Sequence, residues 1–221
     1  LRNIVFQKDL GSIWDKTERV ARLAQWIGTE LGVDPALCAR AARISKSDLV
    51  SEMVQEFDEL QGIMGSYYAA NDGEDPAVAK ALTEQYLPRH AGDELAQSTL
   101  GQTLAIADRI DTLVGIFGIG QPPTGSKDPF ALRRAALGII RICIENDLRL
   151  PLKSAILQHY VGQYIEKAFE GNTAQIEVLD REDLVDDLLS FFADRLKVFL
   201  RDSGKRHDLI DAVFALPGQD D

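Results

Sequence analysis

Cysteine is scarce in this sequence, with only Cys38 and Cys143, far apart and outside any CxxC or Cys/His cluster. That excludes a disulfide framework and a cysteine-based structural zinc site, and leaves two free, mostly buried thiols in a reducing interior as the expectation. Long apolar runs are missing as well. No stretch of about 18 uncharged apolar residues occurs, and the opening residues lack the basic, apolar and small-residue succession of a secretory signal, so a cytoplasmic location without membrane contact is expected. Positive charge is in deficit: 24 Lys and Arg stand against 35 Asp and Glu, a net charge of -11. Indiscriminate nucleic-acid binding is thereby excluded, and any RNA contact has to be local. The chain opens at Leu1 and stops in Gly218-Gln219-Asp220-Asp221, so both ends read as cut edges of a longer protein.

What is present is ordinary material for a globular core: 45% of residues are hydrophobic and 27% charged. Its patterning is helical, with no strand signals. Val20, Leu23, Ala24, Ile27 and Leu31 repeat at three- and four-residue spacings, and Gly32 stops them. Asp34-Pro35 and Asp75-Pro76 each offer an N-cap followed by a first-turn proline. One helix is expected over about 47–59, with Leu49, Met53 and Phe57 on a stripe, and another over about 97–114. The glycine- and proline-rich stretch 115–127 is expected as a loop, and Asp128-Pro129 as the opening of the next helix. Helices over about 151–169, 181–202 and 207–216 complete the chain, with a turn at Gly171-Asn172. The expected division is a core helical domain over 1–150 and a helical extension over 151–221.

Two phosphate-binding look-alikes fail on chemistry. Gly120 to Lys127 has the glycines of a P-loop, but its Ser and Lys are transposed and no strand precedes it. Ile44-Ser45-Lys46-Ser47 has a lysine-loop composition without the partner histidine motif. The histidines, His90, His159 and His207, are expected outside any helix pair that could converge on a metal. Asp108 and Asp111 share a helix face in an apolar stripe, where carboxylates most often pair with a cation. Basic residues cluster twice, as Lys127 with Arg133 and Arg134, and as Arg201 with Lys205 and Arg206.

Three blocks carry a family resemblance. Ser45-Lys46-Ser47-Asp48-Leu49 with Glu52 to Gly65 is the first; Ala107-Asp108-Arg109-Ile110-Asp111-Thr112-Leu113 running on to Ala136 is the second; Phe191 to Leu216, with Arg206-His207-Asp208-Leu209-Ile210-Asp211, is the third. Together they resemble the beta subunit of the two-subunit, bacterial-type glycyl-tRNA synthetase over nearly the whole chain. The resemblance implies an all-α fold: a helical bundle of HD-domain type followed by a helical extension leading toward a C-terminal anticodon-binding region. It also implies that the HD metal site is degenerate. The His, His-Asp and Asp positions of an active site fall at Lys16, Ser47-Asp48 and Asp108, so only carboxylates remain and no bound metal is expected. Asp48 and Asp108 are then expected to pair with Lys16, Lys46 or Arg109.

The same resemblance implies a non-catalytic part of a glycine–tRNA ligase, without a cofactor of its own. ATP with magnesium belongs to the alpha subunit, the partners are that alpha subunit and tRNA(Gly), and the assembly is a tetramer with two subunits of each kind. Lys127, Arg133 and Arg134 are the tRNA-binding candidates, because a glycine-rich backbone and a helix start beside three cations suit phosphate. The alternatives are an HD-type metal-dependent phosphohydrolase and a pure subunit-docking scaffold.

Overall fold

The computed structural model describes residues 1–160 and 181–214. A short antiparallel pair, β1 (Val5–Gln7) and β2 (Gly11–Ser12), precedes α1 (Ile13–Glu30), and α2 (Pro35–Ile44) packs back against α1. The pair was not expected from the sequence, since strands of two and three residues are too short to show alternation. Ser12 then closes a reciprocal capping box with Asp15, which fixes where α1 starts. Asp34 and Asp75 cap α2 and α5 (Pro76–Glu84) through the backbone N–H groups of Ala36 and Ala77, with proline in the first turn as the sequence implies.

The single helix expected over 47–59 is broken into pieces. Ser47–Val50 and Asp58–Leu60 are 3-10 turns, and only α3 (Glu52–Glu56) between them is α-helical. Ser51 caps α3 by accepting from Val54 N, so the chain restarts a helix there instead of continuing one. The α4 helix (Ile63–Asn71) follows Gly62, whose φ of +80° turns the chain sharply.

At the centre lies α6 (Thr99–Gly118), flanked by α1, α2, α5, α7 (Leu132–Glu145), α8 (Leu152–Tyr160) and α9 (Arg181–Asp202). A helix enclosed on so many sides must be apolar nearly all round, and Leu104, Ile106, Ile110, Leu113, Val114 and Ile116 are buried on it. The helix also runs through Gly115 and Gly118, which were expected to begin the loop, and both are buried. Ala155, Ile156 and Tyr160 of α8, with Leu184, Leu188 and Phe192 of α9, join the same core as the helices before residue 150. A last helix, α10 (His207–Phe214), packs on α9.

Among the described residues the fold is thus all-α apart from one small sheet. The expected turn at Gly171-Asn172 and the ends of the helices near 169 and 216 lie outside the described residues. Cys38 and Cys143 are both free, and burial pushes each thiol up to about 11, so both stay protonated at neutral pH. No described helix is long and apolar enough to cross a membrane.

Candidate functional site

The polar centre of the bundle is built from α1, α6 and α8. Lys16 and Arg19, one turn apart on α1, face Asp108 and Asp111, which are likewise three residues apart on α6. Lys16 Nζ donates to Asp111 Oδ2 at 3.1 Å, to Thr112 Oγ1 at 2.8 Å and to the Asp108 carbonyl at 3.0 Å. Arg19 grips Asp111 with two nitrogens, Nε at 2.7 Å and Nη2 at 3.2 Å, and its remaining Nη1 donates to the Leu10 carbonyl. From α8, His159 Nε2 donates to Asp111 Oδ1 at 2.9 Å. Lys16, Arg19, Asp111 and His159 are buried, Asp111 wholly so, while Asp108 and Thr112 are half-buried. A buried carboxylate survives as an anion only when it is paired and hydrogen-bonded, and here both oxygens receive charged donors.

The electrostatics follow from that packing. Burial alone would raise the Asp111 carboxyl, but Lys16 and Arg19 beside it hold it well below the usual range. Asp108 is lowered in the same way, with Lys16 and Lys46 outweighing burial. Burial lowers His159, so the ring is neutral at pH 7 and its Nε2–H tautomer serves Asp111. His159 Nδ1 has no hydrogen-bond partner among the described residues.

Lys16 and Lys46 do reach Asp108, at 3.5 and 3.4 Å from Oδ1, and the buried Lys46 also sits 4.2 Å from the Tyr86 ring centroid. Asp48, however, pairs with no cation among the described residues, contrary to expectation. Its Oδ2 accepts from the backbone N–H groups of Gly62 and Gly65, at 2.6 and 3.0 Å, so it ties the 3-10 turn to the start of α4. Arg109 does not pair with a carboxylate either; it donates to the main-chain carbonyls of Gln85, Ala105, Tyr86 and Pro88. His159 converges on the centre, contrary to expectation. Ser47 is exposed and stands apart from these contacts. Sequence reasoning missed Arg19 and His159, although Arg19 lies one turn from Lys16 on an apolar face and was detectable by that spacing.

The second candidate region has a different geometry. Thr124 and Lys127 exchange backbone hydrogen bonds across a tight turn at Gly125, φ +51°. Arg133 is half-buried and donates to the Gly125 carbonyl at 2.7 Å, holding that turn; Lys127 and Arg134 are exposed. The helix expected to open at Pro129 starts instead at Leu132, after Ala131 in a left-handed conformation. Asp128 already accepts from the N–H groups of Leu132 and Arg133, so those donors are not open to a phosphate. In the other basic cluster, Arg206 pairs with Asp208 on the surface.

Fold and site together define an all-helical domain centred on a buried, charge-paired polar network. The family model for "Glycyl-tRNA synthetase beta subunit" matches residues 1–215, and the chain belongs to that family. Among curated relatives, the glycine–tRNA ligase beta subunit of Marinobacter nauticus is 57% identical over 184 residues, covering 82% of this chain and 26% of that protein. The beta subunit of Ectopseudomonas mendocina is 51% identical and that of Acinetobacter baylyi 46%, each over 98% of this chain and 30% of its own length. The chain therefore spans under a third of the curated relatives it matches.

Proposed function

We propose that this chain is a helical scaffold within the beta subunit of a cytoplasmic glycine–tRNA ligase, supporting tRNA(Gly) recognition and assembly with the alpha subunit. Activation of glycine with ATP and magnesium belongs, on this reading, to the alpha subunit of a tetramer with two subunits of each kind. The observation that supports it is the inward-facing network: Asp111 and Asp108 are engaged by Lys16, Arg19 and Lys46, and two lysine ammonium groups lie within 3.5 Å of Asp108. Cations so placed stabilise a closed helix packing, and they oppose a divalent ion electrostatically. Lys16, Ser47, Asp48 and Asp108 then mark a degenerate HD-type site, with its first position taken by an ammonium.

For the RNA contact the exposed Lys127 and Arg134 are the better pair, because Arg133 is occupied in holding the 124–127 turn. The test is tRNA(Gly) binding by the full alpha–beta complex as a function of salt. Lys127→Glu with Arg134→Glu should weaken binding about tenfold or more at moderate ionic strength and flatten the log–log salt slope by about 1 to 2. Unchanged affinity and slope would remove this surface from the RNA contact.

A further inference from the structure

The stretch between Ser47 and Ala79 contains no Lys, Arg or His. Within it, Val50, Met53 and Phe57 follow one another at spacings of three and four, and they stand 55%, 42% and 46% exposed. Met53 and Phe57 belong to the stripe that the sequence places on one helix face with Leu49, and the structure turns both outward while Leu49 is half-buried. Around it Glu52, Glu56, Asp58 and Glu59 are all exposed, and none has an ion pair among the described residues. On the adjoining α4, which packs against the Ser47–Val50 turn, Tyr67 is exposed as well. Solvent-exposed apolar side chains grouped on one short segment are a mark of an interaction surface.

The charge says which kind. A rim of unpaired carboxylates repels the phosphates of RNA and of anionic lipid, and attracts ammonium and guanidinium groups. Apolar side chains inside such a rim match a helix that carries aliphatic residues on one stripe and Lys or Arg beside it. We propose that the face formed by Val50, Met53 and Phe57, ringed by Glu52, Glu56, Asp58 and Glu59, docks a basic amphipathic helix of the second subunit. The proposal rests on the assembly reading above and adds a location and a chemistry to it. It also separates the surface that meets protein from the Lys127 and Arg134 surface that meets RNA.

Hydrogen exchange of the full-length beta subunit, alone and in complex with the alpha subunit, tests the docking. Peptides spanning residues 50–59 should exchange about tenfold or more slowly in the complex than in the free subunit. A variant carrying Glu56→Lys and Glu59→Lys changes only exposed positions, and it should raise the dissociation constant of the subunits about tenfold while weakening its dependence on salt. Met53→Ser with Phe57→Ser should raise the constant without changing the salt dependence. If exchange is already slow in the free full-length subunit, another part of the same chain covers the face and the proposal fails. Protection that appears on adding tRNA instead of the alpha subunit also overturns it. A complex that forms with unaltered exchange and an unmoved constant refutes the docking while leaving the assembly reading intact, whereas no complex at all removes both. Should the charge-reversed variant fail to fold, the exchange measured on the unaltered protein decides.

Discussion

Replacing Asp111 by alanine removes one side chain and strands three donors. Lys16 and Arg19, 4% and 3% exposed, would remain as cations in the core, and His159 would lose its acceptor. Lys16 keeps Asp108 and Thr112, whereas Arg19 loses both of its bonds to the carboxylate and keeps that to the Leu10 carbonyl. Breaking a buried pair by removing one partner costs about 3–5 kcal/mol. For a chain of this size, about 2–4 °C of melting temperature per kcal/mol makes that a fall of about 6–20 °C. Arg40→Ala, which breaks the surface pair with Glu74, should cost less than about 1 kcal/mol because solvent screens it. Replacing Lys16 and Arg19 by methionine together with Asp111→Leu should recover most of the loss, since neither cation is then stranded in the core and Asp108 still has Lys46. Thermal and urea unfolding of all four proteins give the comparison. A loss under about 1 kcal/mol in Asp111→Ala, equal to that of Arg40→Ala, would show that the network does not hold the bundle together.

Acid should unfold the protein in two stages. His159 is depressed in the folded state, so the stability it lends is complete above the ordinary histidine range near pH 6.5 and is lost as pH falls toward its folded value, by at most about 1.4 kcal/mol per pH unit. Asp108 and Asp111 are depressed too, and their contribution disappears only below the ordinary carboxylate range near pH 4. His159→Gln should abolish the upper stage in a pH series of melting temperatures and leave the lower one; an unaltered upper stage would refute the assignment. Gly62→Ala meets both a left-handed φ of +80° and a Cβ placed 2.6 Å from the Tyr86 ring and 2.8 Å from the Leu82 carbonyl, so a loss of about 3 kcal/mol is expected. Gly73→Ala, with the same φ and nothing within 4 Å, should cost about 1 kcal/mol, and equal losses in urea unfolding would show that crowding at Gly62 is irrelevant.

Helices with explicit start signals were legible in the sequence. Asp34-Pro35 and Asp75-Pro76 combine a side-chain acceptor with a residue that has no N–H to satisfy, and both begin helices where expected. Spacing alone misled at Leu49, Met53 and Phe57, because a stripe of four-residue steps does not show that the chain breaks into 3-10 turns on either side of α3. At Asp128-Pro129 the cap was read correctly but its span was not: the carboxylate reaches past Ala131 to Leu132 and Arg133, a geometry set by one left-handed residue that carries no composition signal. Within the central network, Lys16 and Asp108 came from family placement. The convergence of His159 on Asp111, 48 positions away, depends on how α8 crosses α6, which no local pattern encodes.

The sharing of Asp111 between α1 and α8 also sets an order on synthesis. Lys16 and Arg19 leave the ribosome long before the carboxylate that neutralises them, and the imidazole that completes the set comes later still. Helix α1 therefore carries one ammonium and one guanidinium that lack their carboxylate until α6 has been made. The seam between α1 and α6 closes after Asp111 is made, whereas the packing of α1 on α2 needs only the first 44 residues of this sequence.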